Sequence, residues 1–212
     1  MKTVVCSHGF GVDATGRGMF TDIAASFPDI KFVMFDYSII DEAGNMTVRP
    51  IPEQVQLLND QLAGAEGEII LLCHSKGCVV GALADVSKVS QVIFLAPPDK
   101  DSQTIEHFAA TFGSREGAVF NPAGMSSIPR RDGTITYVSK EYLETQAPLD
   151  APKLYADLAA KLPLTVICAA GDEILAKATL KVPGAQNLAL PANHDFSGPA
   201  RQELINQLRE LL

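Results

Sequence analysis

Short apolar runs alternate along this chain with longer segments of helical periodicity. The runs are rich in Val, Ile and Phe and are bounded by polar, Gly or Pro residues; they cover 2–8, 30–37, 68–74, 89–96 and 164–170, with a weaker run at 185–191. Continuous apolar runs of this length are typical of parallel strands that are buried on both faces. Helical patterns lie between or after the runs, at 16–27, 52–64, 75–86 and 197–212. The alternation predicts an α/β fold with an open, mostly parallel six-stranded sheet and helices on both faces.

Particular residues mark the ends of two of these helices. Pro52 occupies a first-turn position, where its missing N–H removes no helical hydrogen bond, and Gly64 closes the same helix. Ser197 is the predicted N-terminal cap of the last helix, which places Leu204 and Leu208 on one face.

One long segment, from about residue 98 to residue 163, interrupts the alternation. It contains a turn-and-strand pattern at 130–138 and helical patterns at 139–146 and 150–162. The chain length of 212 residues suits a single domain (1–212), in which this segment is an insertion between the fourth and fifth strands. Long excursions of this kind usually form a lid or a pocket wall, and a purely structural excursion is the alternative.

The charge and the apolar content of the chain restrict its partners and its location. A net charge of −8 and a pI near 4.9 argue against binding to nucleic acid or to an anionic membrane, whose phosphates would be repelled. The N-terminal apolar run spans only Val4 to Cys6, which is too short for a signal peptide or a membrane span. The four cysteines lie in or beside apolar runs, which favours buried, reduced thiols over disulfides. We therefore expect a cytoplasmic protein.

Polar residues collect where the predicted strands end, and open α/β sheets bind their ligands at these ends. The relevant segments are "HGFG" (8–11), "HSKG" (74–77), "GDE" (171–173) and "NHDF" (193–196). A serine, an acid and a histidine thus follow three strands in that chain order: Ser75, Asp172 and His194. A serine hydroxyl is a weak nucleophile until a neighbouring imidazole accepts its proton, and a carboxylate can fix the tautomer of that imidazole.

This arrangement resembles the α/β-hydrolase superfamily, in which nucleophile, acid and histidine follow the same order. The resemblance extends from the first strand to the final helix, with two departures from the family pattern. Residue 2 already enters the strand before "HGFG", so the leading antiparallel strand pair is missing. Cys73 replaces the first glycine of the elbow pattern G-x-S-x-G, whereas Gly77 keeps the second and Gly81 could ease the packing of the helix on the sheet.

The resemblance implies a role for each residue of the predicted catalytic site. Ser75 would be the nucleophile, His194 the general base and Asp172 the residue that orients the histidine; no cofactor is required. The backbone N–H groups of Phe10 and Lys76 would form the oxyanion hole.

Other residues are predicted to shape the substrate site around this centre. Gly9 and Gly11 would let the first loop curve toward the substrate, and His8 would orient that loop through hydrogen bonds. Met125 and Tyr142, together with Phe10, would line the pocket.

Several of these assignments have simpler alternatives. Ser75 could be an inert turn serine, and His194 could cap the helix that follows, although Asp195 can serve as that cap. Glu173 competes with Asp172 for the histidine; "GDEIL" places Asp172 at the position of the family's acid, and we prefer it.

The side chain of Lys76 is unusual beside a nucleophile. It could bind an acidic group of the substrate, pair with a carboxylate of the insertion, or reach solvent along its aliphatic stem. We expect the last of these.

Two other kinds of site have weaker support. A metal ion could bind where Cys6/His8 and Cys73/His74 converge, but successive strand residues point to opposite faces and no C-x-x-C or H-E-x-x-H spacing occurs, so we predict none. The loop "GFGVDATGRG" is rich in glycine, but it lacks G-x-G-x-x-G in a convincing register with an acidic partner at Asp36.

These features together predict a serine hydrolase that cleaves a small-molecule carboxylic ester, or else an amide or a thioester, through an acyl-enzyme on Ser75. A non-catalytic binding or regulatory protein on the same scaffold stays open, because a fold does not establish an activity. So does an acyltransferase that passes the acyl group to a different acceptor.

Overall fold

The computed structural model of the protein describes all residues from 1 to 212. Its strands are β1 (Lys2–Ser7), β2 (Lys31–Val33), β3 (Ser38–Ile40), β4 (Met46–Val48), β5 (Glu68–His74), β6 (Val89–Leu95), β7 (Met125–Pro129), β8 (Ile135–Ser139), β9 (Leu164–Ala169) and β10 (Gln186–Leu190). Its α-helices are α1 (Met19–Ala25), α2 (Ile51–Gly64), α3 (Lys76–Leu83), α4 (Ile105–Phe108), α5 (Lys140–Gln146), α6 (Ala151–Ala159) and α7 (Pro199–Arg209).

The main sheet has six strands in the order β10-β9-β6-β5-β1-β2, and all of its neighbouring strands are parallel. This confirms the predicted α/β fold class. Strand β2 is shorter than the predicted run 30–37, because the residues after Val33 form hydrogen bonds with loops instead of with a neighbouring strand. Asp36 accepts a hydrogen bond from the Ala14 N–H at 2.6 Å, and the Tyr37 N–H donates to His8 at 3.1 Å.

Helices cover both faces of this sheet, and the strand residues alternate between the two cores. Val5 and Leu71 belong to a core of 27 buried residues that includes side chains of α2, α3 and α6. Val4 and Leu72, their neighbours in the chain, belong to a second core of 18 buried residues that includes side chains of α1 and α7. Both faces of each central strand are therefore apolar, which explains why these strands appear in the sequence as continuous apolar runs.

The predicted helix ends are partly right. Pro52 lies in the first turn of α2, and that helix ends at Gly64. The predicted cap at Ser197 is wrong, because α7 begins at Pro199 after Gly198, and no side chain caps it. The Ser197 hydroxyl instead accepts a hydrogen bond from Asn193 at 2.6 Å.

A second sheet, not predicted as such, has four strands in the order β3-β4-β8-β7. The inserted segment 98–163 supplies β7 and β8, and it also contains the predicted strand near 130–138 and the predicted helices as α5 and α6. The other two strands come from 38–48, outside the predicted insertion, and Met46 of β4 lies opposite Thr136 of β8 in a parallel pair. The insertion is therefore held to the rest of the chain by strand pairing.

The order of the strands decides where a ligand can bind. From β1 the chain first adds β2 on one side and then β5 on the other, so the strand order reverses between β1 and β5. Such a reversal opens a crevice at the carboxyl ends of the two strands, because their connections run to opposite faces of the sheet. The segments 8–11 and 74–77 follow these two strands. None of the helices combines the length and the apolar character needed to cross a bilayer.

Candidate active site

Ser75 stands on a sharp bend between β5 and α3. Its backbone angles are φ 52° and ψ −125°, a region that residues with a side chain rarely occupy. The bend is held on one side by the Ser75 N–H, which donates to the Leu95 carbonyl at 2.9 Å, and on the other by the Ser75 carbonyl, which accepts from the Cys78 N–H at 2.9 Å. A strained, over-determined turn of this kind lifts the serine hydroxyl away from the sheet.

Small residues let α3 pack close to the sheet behind this bend. A Cβ atom added at Gly77 would lie 2.1 Å from the Ser7 carbonyl oxygen, so no larger residue fits there without a shift of the backbone. A Cβ atom added at Gly81 would lie 2.6 Å from Cys73 Sγ. Gly81 therefore makes room for the cysteine that replaces the usual first glycine. Burial raises the pKa of the Cys73 thiol well above its ordinary value, which leaves it unreactive.

The three residues predicted to form a triad lie in one hydrogen-bonded line. Ser75 Oγ is 2.8 Å from His194 Nε2, and His194 Nδ1 is 2.6 Å from Asp172 Oδ2. With the proton on Nδ1, the imidazole donates to the carboxylate and its other nitrogen can accept the serine proton. Ser75 follows β5, Asp172 follows β9 and His194 follows β10, so three strand ends supply the line. The catalytic roles of these residues stay a prediction.

The Asp172 carboxylate is buried and kept ionised by its partners. Burial acts to raise the pKa of this carboxyl, but the hydrogen bond from His194 and the N–H groups of Ile174 and Leu175, at 2.9 and 3.0 Å, together hold the pKa below its ordinary value. Glu173 binds elsewhere: its Oε2 accepts from the backbone N–H of His194 at 3.1 Å. The two neighbouring acids thus contact different parts of the same histidine, its ring and its backbone.

Two backbone N–H groups beside Ser75 lack a protein acceptor. Phe10 N–H donates to no group of the protein, and Lys76 is the first residue of α3, where an N–H has no intrahelical partner. The loop with Phe10 touches the serine directly, since a Cβ atom added at Gly9 would lie 3.1 Å from Ser75 Cβ and 3.6 Å from Ser75 Oγ. Such an arrangement suits an oxyanion hole.

His8 binds the backbone of its own loop and of the segment after β2. Its Nδ1 donates to the Gly9 carbonyl at 2.9 Å, and its Nε2 accepts from the Tyr37 N–H at 3.1 Å. Burial lowers the pKa of His8, which keeps the imidazole in the neutral form that these two bonds require. This agrees with the predicted role of His8 in orienting the loop.

His74 is a component of the site that the sequence analysis did not assign. Its ring lies 4.9 Å from the ring of His194, and its Nε2 donates to the His194 carbonyl at 2.9 Å. Burial and the positive charge that His194 can carry lower the pKa of His74 to about 3, so the ring is neutral. His74 therefore acts as a second anchor for the backbone of His194. Its position next to the elbow serine was the only signal in the sequence.

Two cavities meet at Ser75. The first, which we call the histidine cleft, encloses about 560 Å³ including space open to solvent, and its lining includes His74, His194, Arg17 and Asp195. The second, which we call the lysine cavity, measures about 390 Å³, also including space open to solvent, and its lining includes Lys76, Gln103, Phe108, His107, Tyr142 and Gln146. Ser75, Phe10, Phe112 and Ile174 border both. A group bonded to Ser75 can therefore extend in two directions.

The side chain of Lys76 does not reach solvent, and the expectation that it does is wrong. The residue is only 7% exposed, and its Nζ donates to the side-chain carbonyl of Gln103, which belongs to the inserted segment. No carboxylate lies within ion-pair distance of it. Burial lowers the pKa of this ammonium from 10.5 to about 7. The insertion folds over the residue that follows the elbow serine, and for that reason the aliphatic stem has no path to water.

The predicted lining residues are distributed unevenly. Tyr142 is buried in the wall of the lysine cavity, with its ring 5.6 Å from that of Phe10, and Gly9 borders the histidine cleft. Gly11 has a φ of +65° and turns the loop away toward Thr136, outside both linings. Met125 does not line either cavity: it lies at the start of β7 and is 49% exposed, because this end of the second sheet faces solvent.

The fold is shared with enzymes of known structure. Est1E from Butyrivibrio proteoclasticus, solved with ferulic acid bound, matches with a TM-score of 0.71 and 12% identity over 100% of this chain and 88% of that chain. A pyrethroid hydrolase from Sphingobium faniae JZ-2 matches with a TM-score of 0.68 and 16% identity over 100% and 96%. The esterase domain of a Rhodothermus marinus protein matches with a TM-score of 0.64 and 15% identity over 99% and 85%. No family model matches the sequence, and no curated protein does.

These matches cover the whole chain, and at such low identity the likeness concerns the fold. The predicted resemblance is thereby confirmed at the level of architecture, and the chain has the α/β-hydrolase fold.

Proposed function

We propose that this protein is a serine hydrolase that cleaves a carboxylic ester through an acyl-enzyme on Ser75. The observation that carries the proposal is the hydrogen-bonded line from Ser75 Oγ through His194 to Asp172, with distances of 2.8 and 2.6 Å, beside two unpaired backbone N–H groups. The neighbours of known structure are described as esterases and hydrolases, which supports ester cleavage in general.

The first half of the reaction forms the acyl-enzyme. Ser75 Oγ attacks the ester carbonyl carbon while His194 Nε2 takes the serine proton, and the Asp172 carboxylate stabilises the resulting imidazolium. The N–H groups of Phe10 and Lys76 donate to the carbonyl oxygen as it becomes negative; loss of one such donor typically costs about 3–4 kcal/mol in the barrier. The C–O bond to the alcohol then breaks, and the imidazolium gives its proton to the departing oxygen.

The second half releases the acid. Water enters where the alcohol left, His194 takes one of its protons, and the hydroxide attacks the acyl carbon. Collapse of this second tetrahedral intermediate returns the proton to Ser75 Oγ and frees the carboxylic acid. An amide or a thioester would follow the same steps with an amine or a thiol as the leaving group.

The position of His194 supports an assignment of the two cavities to the two parts of the substrate. A general acid must lie within hydrogen-bond distance of the atom it protonates, so the alcohol has to leave on the histidine side of the serine. His194 borders the histidine cleft and not the lysine cavity. The alcohol therefore occupies the histidine cleft, and the acyl group occupies the lysine cavity.

The test is the intact mass of the protein after incubation with a fluorophosphonate, which reacts with activated serines. We expect one adduct on the wild type and on Ser87→Ala, a matched change at an exposed serine, and none on Ser75→Ala. No adduct on folded wild type would contradict the proposal and favour a non-catalytic binding protein. Where an adduct forms, product analysis with a competing alcohol separates hydrolysis from acyl transfer.

The four cysteines are all free and buried, which supports a reducing compartment and hence the cytoplasm as the location of the enzyme.

A further inference from the structure

The lysine cavity contains polar groups that the proposed reaction does not use. Lys76 contributes its backbone N–H to catalysis, but its ammonium takes no part in any step. A buried ammonium is costly unless a counter-charge compensates it. Lys76 has only the neutral amide oxygen of Gln103 as a partner, and Gln103 is itself fully buried.

The acids nearest in the chain to this network are engaged elsewhere. Asp99 and Asp101 both face Lys177, whose Nζ lies 3.7 and 3.3 Å from their carboxylates. The ammonium of Lys76 has three N–H groups, and Gln103 accepts from one of them. The site thus holds a positive charge whose remaining N–H groups have no acceptor in the protein. No carboxylate of the protein pairs with this charge.

Helix α5 adds two further unsatisfied groups to the same cavity. Tyr142 and Gln146 are one helical turn apart and both line it, and neither the Tyr142 hydroxyl nor Gln146 Oε1 has a hydrogen-bond partner in the protein. Both residues are almost fully buried. Buried polar atoms without partners are rare in native proteins, and a water or a polar group of a ligand that reaches these two atoms would satisfy them.

The remainder of the wall is apolar and aromatic. The ring of Phe10, in the loop after β1, packs against the rings of Phe108 and Phe112 of the inserted segment, with centroids 5.0 to 5.3 Å apart. A group in this cavity therefore meets apolar surface along its length and polar partners at Lys76, Tyr142 and Gln146.

We propose that the acyl group of the substrate ends in a carboxylate, so that the enzyme cleaves half-esters of dicarboxylic acids, with the free carboxylate bound by Lys76 and Tyr142. The proposal rests on the function proposed above and names the substrate class for that site. The Lys76 ammonium would donate to one carboxylate oxygen and the Tyr142 hydroxyl to the other. A carboxylate suits the site better than a hydroxyl does, because only the carboxylate supplies the missing negative charge.

The experiment compares two fluorogenic esters with the same alcohol, 4-methylumbelliferone, and nearly isosteric acyl groups. One is the mono-ester of adipic acid, with a free carboxylate; the other is the ester of adipamic acid, with a neutral amide in its place. We expect kcat/KM for the adipate ester to exceed that for the adipamate ester about tenfold or more in the wild type, as a charge-assisted hydrogen bond at a buried site predicts.

The ratio of the two kcat/KM values should fall to near one in Lys76→Met. Any damage that the substitution does to the shared chemical step cancels in this ratio. Tyr142→Phe, which removes only the hydroxyl, should lower the ratio by a smaller factor. Lys88→Met, a change at an exposed lysine far from the cavity, should keep the wild-type ratio.

The outcomes separate this proposal from the one on which it rests. Consider the case in which the fluorophosphonate adduct forms and the adipamate ester is cleaved. If the adipate ester is then not preferred, or if the ratio is unchanged in Lys76→Met, the carboxylate site alone is overturned. Failure to form an adduct and to cleave either ester would overturn the hydrolase assignment and the substrate class with it. Equal preference for the 6-hydroxyhexanoate ester would mean that the cavity recognises a polar end and not a charge.

Discussion

Replacement of Lys76 by Met should stabilise the protein at neutral pH, by an amount that falls as the pH rises. The ammonium has an ordinary pKa of 10.5, and burial lowers it to about 7 in the folded protein. One pKa unit corresponds to about 1.4 kcal/mol, so keeping this lysine in the fold costs roughly 4–5 kcal/mol at and below pH 7. Met fills a similar volume without a charge and removes that cost.

Loss of the hydrogen bond to Gln103 offsets part of the gain. The buried amide oxygen of Gln103 would lose its donor, at a cost of about 1–3 kcal/mol. The expected net gain for Lys76→Met is therefore about 1–4 kcal/mol in the free energy of unfolding near pH 7.

The direction of the pH dependence follows from the lowered pKa. Between the folded value near 7 and the ordinary value of 10.5, the unfolded chain holds a proton that the folded chain does not, so the wild type becomes more stable as the pH rises. The Lys76→Met variant lacks this pH-dependent contribution to stability. Its advantage should shrink by about 1.4 kcal/mol per pH unit above pH 7 and reverse between about pH 8 and pH 10.

Urea unfolding of both proteins under reducing conditions, at intervals between pH 6.5 and about 9.5, measures this difference. Other titrating groups are common to the two proteins and cancel in the comparison. Lys88→Met, at an exposed lysine, is the control and should show no such trend. A difference that stays constant with pH would refute the conclusion that Lys76 is buried without a counter-charge.

Three further substitutions test the geometry of the site. Asp172→Asn should lower kcat by about three to four orders of magnitude, since it removes the acceptor of the imidazole N–H, whereas Glu173→Gln, which touches only the histidine backbone, should cost less than about tenfold. If the order of these two losses were reversed, Glu173 would be the acid. Gly81→Ala should destabilise the protein by about 1–3 kcal/mol, because the new methyl group would lie 2.6 Å from Cys73 Sγ. Adding Cys73→Ala should recover most of that loss, and simple additivity in urea unfolding would argue against the contact. Gly9→Ala should slow fluorophosphonate labelling at least about tenfold with little change in Tm, since its methyl group would press on the serine Cβ; normal labelling would show that the loop can move aside.

The main sheet could be predicted because its signals are local. Strands such as β5 and β9 are buried on both faces, and this requires nearly every residue in them to be apolar. A continuous apolar run is therefore visible without any knowledge of the neighbouring strand. The segment 75–86 was likewise recognisable as a helix from its position directly after a strand, although α3 ends earlier, at Leu83.

The second sheet could not be predicted in the same way. Its strands β3 and β4 have three residues each, and β4 pairs with β8 about ninety residues further along the chain. Ile39 and Ile40 are exposed, so their apolar character carries no information about burial. Short strands whose partners are distant leave no periodic pattern for a sequence analysis to find.

Chain order alone predicted that Ser75, Asp172 and His194 would follow strands whose ends meet at one edge of the sheet, since parallel strands present their carboxyl ends on the same side. The lysine next to the serine is the opposite case. Long charged side chains usually reach water, and nothing in the neighbourhood of Lys76 in the sequence indicates otherwise. Its burial, its bond to Gln103 and the unpaired groups of α5 arise only when the insertion folds back over the elbow. The sequence by itself determined the sheet and the residues that meet at its edge, because those depend on burial within each strand. The tertiary structure decided the shape and the polarity of the lysine cavity, because those depend on contacts between segments far apart in the chain.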